Sequence, residues 1–377
     1  MRLSLAALFG LVLVGATPSF AQEVKKEMRG VYQNFRDLQP YLYDAKAFED
    51  PKNTDRVLKL IKTLSSNFHS VEKFPESARQ EPGFAFNLGL INEMLDDAAL
   101  RLKEGKRSYA LWRLRTVSNS CIGCHVTFKA STAFAGGAID KMKLDTFQKG
   151  EFYLATRQYN EAEQALIAVL KDAKLSRNYI RALRRLLVIF VRIKGEPQSA
   201  LDKINELSAP LKLTTDERDE VKSWTVALQN WAKEPPETEH NLPFAERLIR
   251  DAVNLPDPLF DRVDAVELLR ATAMLHGFLS KKGQPAEERS QTLYLLGFAY
   301  SRLPTFFNDA LAELYLEQCI SEFPGSYEAK RAYRLYVEVV TQQYTGSGGM
   351  NVPPDVDTRM LELHDKAFGV QPLDPKV

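Results

Sequence analysis

The sequence predicts an all-α chain of two helical units: a four-helix bundle over residues 22–132 and a solenoid of helical pairs over residues 133–345. Two observations carry this expectation. Between residues 23 and 130, apolar residues recur three and four apart in four stretches separated by polar or Pro/Gly breaks. Further along, a Gly followed three residues later by a Tyr appears at Gly150/Tyr153 and again at Gly297/Tyr300, as degenerate repeats of one hairpin would produce.

The four stretches can be placed in order. The first, about Glu23 to Leu42, sets Met28, Val31, Tyr32, Phe35, Leu38 and Leu42 on one stripe. The second opens near Asn53 or Thr54 as N-cap, carries Val57, Ile61, Leu64, Phe68 and Val71, and stops at Pro75. The third runs from about Phe84 to Leu102 and ends at Gly105, and the fourth spans about Arg107 to Lys129 with Leu111, Leu114 and Val117. Short breaks favour antiparallel neighbours, so an up-down-up-down arrangement is the economical one.

The N-terminus reads as an export signal over residues 1–21. Arg2 precedes a nearly continuous apolar run from Leu3 to Val14, and Pro18-Ser19-Phe20-Ala21 ends like a cleavage site before Gln22. The run is short of the roughly 20 residues that span a bilayer, so the expected product is a periplasmic chain with no membrane span. The 50 basic and 49 acidic residues give a net charge of +1, which provides no electrostatic attraction for nucleic acid. Cys121, Cys124 and Cys319 form no even-numbered disulfide framework.

Two of those cysteines lie in Cys121-Ile122-Gly123-Cys124-His125, the attachment pattern of c-type haem. The spacing has a chemical reason. On a helix the two thiols lie one turn apart along a porphyrin edge, and the next residue turns its imidazole toward the iron. Cys121 and Cys124 are therefore the expected covalent haem anchors, and His125 the expected axial iron ligand. A zinc site would need a further pair of ligands, whereas the sequence offers only Cys319 and scattered histidines. A thioredoxin-like pair would need a strand-to-helix junction, but the flanks read as one helix.

The run from Cys121 through Phe128 and Lys129 resembles the cytochrome c′ family, in which the haem motif is followed by two residues, an aromatic and a basic one. The stretch Glu23 to Met28 is similar to that family's first helix, where low-spin members carry a Met ligand. The resemblance covers residues 23 to 132 and implies one covalent haem c inside the bundle. It also implies that high-spin members, lacking a sixth ligand, bind NO or CO. Met28 then has two readings, sixth ligand or ordinary core side chain. At 1.5 Å per residue it falls at a height similar to that of His125. His69 competes for the same role, although its stripe of Lys62, Ser65, Ser66 and Glu72 is the polar one. Phe128 and Lys129 are either haem contacts or a core aromatic and a routine C-terminal lysine. Arg115 is read as facing solvent.

In the second unit, Gly150, Tyr153, Tyr159, Ala162 and Leu166 resemble the tetratricopeptide pattern. Leu296-Gly297-Phe-Ala-Tyr300 repeats its first half, with Ala310, Leu314 and Pro324 arriving late, which implies a short insertion near Pro304. Gly195-Glu-Pro-Gln-Ser-Ala200-Leu201 reads as another turn into a second helix. Leu242 to Val253 and Val263 to Leu279 fit the same array, and Cys319 sits on an apolar face as a buried thiol. Residues 346–377 read as a flexible link, a helix over about Val356 to Phe368 and a frayed end.

Stacked repeats present a surface suited to holding a protein. The combined expectation is an exported monohaem electron carrier whose array docks a redox or scaffold partner. The alternative is a gas-binding or sensing module with a five-coordinate iron. No Ser-His-Asp set, paired carboxylates or Gly-rich phosphate loop points to an enzyme, and the sequence leaves oligomeric state open.

Overall fold

The computed structural model describes residues 20–72, 82–127, 144–235, 241–253, 265–279, 281, 283–303, 310–347 and 349–369. Among these the regular structure is helical apart from one pair of two-residue strands, so the chain is all-α. No described helix is long and apolar enough to cross a membrane. The export signal lies almost wholly outside the described residues, and the expected insertion near Pro304 lies outside them too.

Apolar spacing accounts for the first group of helices. α1 (Phe20–Tyr43) buries Val31, Tyr32, Phe35, Leu38 and Leu42 on one face. A five-residue helix that the spacing did not reveal follows, α2 (Ala45–Glu49), capped by Asp44, whose side chain accepts from the Ala47 N–H at 3.1 Å. It tucks Phe48 completely out of solvent. α3 (Thr54–Glu72) buries Val57, Ile61, Leu64 and Phe68, α4 is Pro82–Lys103, and α5 is Arg107–Thr127. α1 packs on α3, α3 on α4, and α4 on α5, while α5 returns to touch α1. Polar side chains pin the register: Asn34 donates to Asn67 at 3.1 Å, Ser65 to Asp96 at 2.8 Å, and Arg107 to Thr54 at 2.8 Å.

The second group begins with α6 (Thr146–Ala155), started by a capping box in which Asp145 and Gln148 satisfy each other's backbone N–H. It continues with α7 (Tyr159–Lys171) and α8 (Tyr179–Val188), which runs on as a π-helical turn to Lys194. Gly195, at φ 67°, ends that turn in the left-handed conformation, and Pro197 opens α9 (Pro197–Ser208). Then come α10 (Thr215–Ala232), α11 (Leu242–Val253), α12 (Ala265–Leu279), α13 (Ala286–Arg302), α14 (Ala310–Glu322) and α15 (Tyr327–Gln343). Sequential neighbours pack on one another from α6 to α10 and from α11 to α15, while α10 reaches past α11 to α12.

Two glycines show how tightly. A Cβ on Gly150 would stand 2.9 Å from Leu166 of α7, and one on Gly297 would stand 2.6 Å from Leu316 of α14. The helices of each pair touch there because no side chain separates them. A buried ion pair, Arg185 to Glu151 at 2.7 and 2.9 Å, ties α8 back to α6.

The glycine-rich stretch expected to be a flexible link pairs instead as β1 (Thr345–Gly346) against β2 (Gly349–Met350). It leads into α16 (Pro354–Phe368), which packs on α14 and α15 and buries Leu363 and Ala367. The two groups of helices are in contact: α5 meets α6 and the π-helical turn, and α4 meets α14.

Candidate functional site

The face of α5 that buries Leu111, Leu114 and Val117 continues, three and four residues at a time, to Cys121 and His125. Helical periodicity thus carries the two reactive side chains inward on the stripe that builds the core. They open onto one pocket, walled by Met28, Val31, Tyr32 and Phe35 of α1, Phe68 of α3 and Leu88 and Ile91 of α4. Its last wall is the end of α6, Ala155 and Thr156. The pocket is lined almost wholly by apolar surface and is partly open to solvent.

His125 is partly buried, and its Nδ1 lies 2.6 Å from the carbonyl oxygen of Ala155. A carbonyl can only accept, so the proton is assigned to Nδ1 and the lone pair to Nε2. Burial, reinforced by the positive charge of Arg157, pushes the imidazole pKa down to about 3, against the opposing pull of the Ala155 bond. The ring is therefore neutral near neutrality, the state in which imidazole binds a metal.

The bond to Ala155 has a local cause. Ala155 is the last residue of α6, where carbonyls lack an intrahelical partner. Arg157, at φ 61°, turns the chain sharply there, and α7 begins two residues later. From α7 the Tyr159 hydroxyl donates to the backbone carbonyl of His125 at 3.1 Å. Phe152 of α6 lies parallel to Phe35 with ring centres 5.8 Å apart and tilts against Tyr32 at 6.0 Å.

Of the residues predicted from the sequence, Met28, Cys121 and His125 are brought to one pocket. Cys124 lies within α5 but its side chain is outside the described residues, and Phe128 and Lys129 are outside them altogether. His69 points to the surface, 3.6 Å from Asp96, while Phe68 takes the inner position. Arg115 is exposed, as expected, and donates to the Leu42 carbonyl at 2.7 Å. His276 is buried and bonded to the Tyr300 hydroxyl at 2.8 Å. Ala155 and Thr156 escaped sequence reasoning as site residues, because a backbone carbonyl and a pocket wall leave no residue signature. Tyr159 was legible only as a repeat position.

Comparison with protein-family models, with curated proteins and with solved structures finds no match.

Proposed function

We propose that the chain is an exported c-type cytochrome that holds one covalent haem and transfers electrons, with a tetratricopeptide-like solenoid that docks a protein partner. The observation that carries this reading is the shared pocket: the Cys121 and His125 half of the attachment motif opens onto the same apolar space as Met28. The residues present fit the group. Nitrogen and sulfur donors line one pocket together with Val, Phe, Leu and Ile, the surroundings that tune a haem iron by burial and axial ligation.

Cys121 and Cys124 would hold the macrocycle through thioethers, and His125 would bind through Nε2. Bound haem supplies an iron that takes up and releases one electron. The Ala155 carbonyl keeps the imidazole in the required tautomer and orientation. Val31, Phe35, Leu88 and Ile91 exclude water, and Met28 offers a thioether from α1. In this reading the first helical group is a cytochrome c′-like bundle. The close Gly150–Leu166 and Gly297–Leu316 contacts support hairpin repeats in the second.

Visible absorption spectra of the haem-loaded protein in both oxidation states, with and without CO, test the assignment. We expect a low-spin spectrum with a sulfur-to-iron charge-transfer band and no CO shift. In Met28→Ala the band disappears, and the reduction potential falls by on the order of 0.1 V as a ligand that raises the potential is lost. A high-spin wild type that shifts with CO would overturn the Met28 assignment and put gas binding first.

A further inference from the structure

We infer that the hairpin α6–α7, read from the sequence as the start of the docking unit, is a structural part of the haem site. Its Ala155 carbonyl fixes the Nδ1-protonated form of His125, and Tyr159 is the positioning residue that keeps the two in register. This inference rests on the haem reading above.

Four contacts converge on the conclusion. The terminal carbonyl of α6 accepts from His125 Nδ1 at 2.6 Å, and Tyr159 returns a bond to the His125 carbonyl at 3.1 Å. One hairpin thus grips both the side chain and the backbone of the same residue. Phe152 is stacked against Phe35 on α1, and Ala155 and Thr156 complete the pocket wall. A second unit that merely lay against the first would not need to supply the partner of its one imidazole ligand.

The chemistry gives the arrangement a direction. A helix ends in partial negative charge, concentrated on its last carbonyls. A short hydrogen bond from Nδ1–H to such a carbonyl moves electron density into the ring and makes Nε2 a stronger donor. Stronger donation favours the ferric over the ferrous ion and holds the reduction potential down. Slackening the Tyr159 clamp lengthens the Nδ1–H bond and lets the potential rise. Anything that shifts α6 and α7, a partner seated on the array included, acts on the iron through the same bond.

The test compares the full-length, haem-loaded wild type with Tyr159→Phe, which removes one hydroxyl and keeps the ring. Tyr179→Phe is the control, because Tyr179 donates to the Asp172 carbonyl within the second helical group, away from the pocket. Two quantities are read: the reduction potential, and the solvent exchange of the His125 Nδ1 proton followed by NMR. We expect Tyr159→Phe to raise the potential and to accelerate that exchange at least severalfold, with Tyr179→Phe unchanged in both. Wild-type potential and exchange in Tyr159→Phe would overturn the inference while leaving the haem reading intact. Equal shifts in the two variants would overturn it too, by revealing a general loosening of the fold. A wild type without covalent haem would overturn the reading itself, and this inference with it.

Discussion

His125 and Cys319 show how burial sorts reactive side chains into different roles. Burial keeps the imidazole neutral, and the Ala155 carbonyl decides which nitrogen carries the lone pair. Cys319 is completely buried, and its thiol lies 3.5 Å from the Ser290 carbonyl. Burial, with Glu328 and Glu322 nearby, pushes its pKa from about 9 up to about 12. At pH 8 it therefore holds on the order of a thousandfold less thiolate than an ordinary cysteine. The sign follows: an unfolded chain ionises first, so this thiol's contribution to stability is complete below pH about 9 and is lost as pH rises toward about 12. If Cys121 and Cys124 are consumed as thioethers, as proposed, alkylation at pH 8 should label no cysteine in the native protein and one after denaturation. Native labelling at Cys319, or three labels after denaturation, would contradict this. The proposed attachment motif is written in five consecutive residues, Cys121 to His125, and needs no fold to be seen. The choice between Phe68 and His69 was legible from the stripe each belongs to. The Ala155 acceptor was not, since every residue has a carbonyl and only the fold selects one.

Among elements, α1, α3, α4, α5, α11, α12 and α16 were readable to within a few residues, because ten or more positions vote on one apolar face, whereas α10 was not placed from the sequence at all. α2 and the β1–β2 pair were not, because five residues or two carry too few votes and form only where neighbours hold them. The recurring glycines were the most informative single positions. Leu166 follows Gly150 by sixteen residues and Leu316 follows Gly297 by nineteen, so the second hairpin is longer between its contact points. The account predicts opposite effects for one substitution at two helical glycines. Gly297→Ala drives a methyl against Leu316 and should lower stability by about 1–3 kcal/mol. Gly277→Ala in α12 meets nothing within 4 Å and should raise it by about 0.5–1 kcal/mol. Chemical denaturation of both variants checks the pair, and a neutral Gly297→Ala would remove the argument for close helix contact.

At the scale of the molecule, the two helical groups touch at the first helix of the second, at its π-helical turn and near its end: α6, the π-helical turn and α14 all reach α5 or α4. Nothing in the periodicity of either group encodes this contact, because each pattern reports only which face is buried and not what covers it. The consequence for partner docking is concrete. The surfaces of the second helical group that meet α4 and α5 are occupied within the chain, so the proposed partner would have to engage the remainder. A signal acting through the array would reach the pocket by way of α6 and α7.

The measurement that tests the central claim most directly is the intact mass of the denatured protein, recovered after export from cells that mature c-type haem. The account predicts a chain beginning at Gln22 and heavier by one haem that stays attached on unfolding. A Cys121→Ala, Cys124→Ala variant should lack that added mass. A wild-type mass equal to that of the bare polypeptide would contradict it.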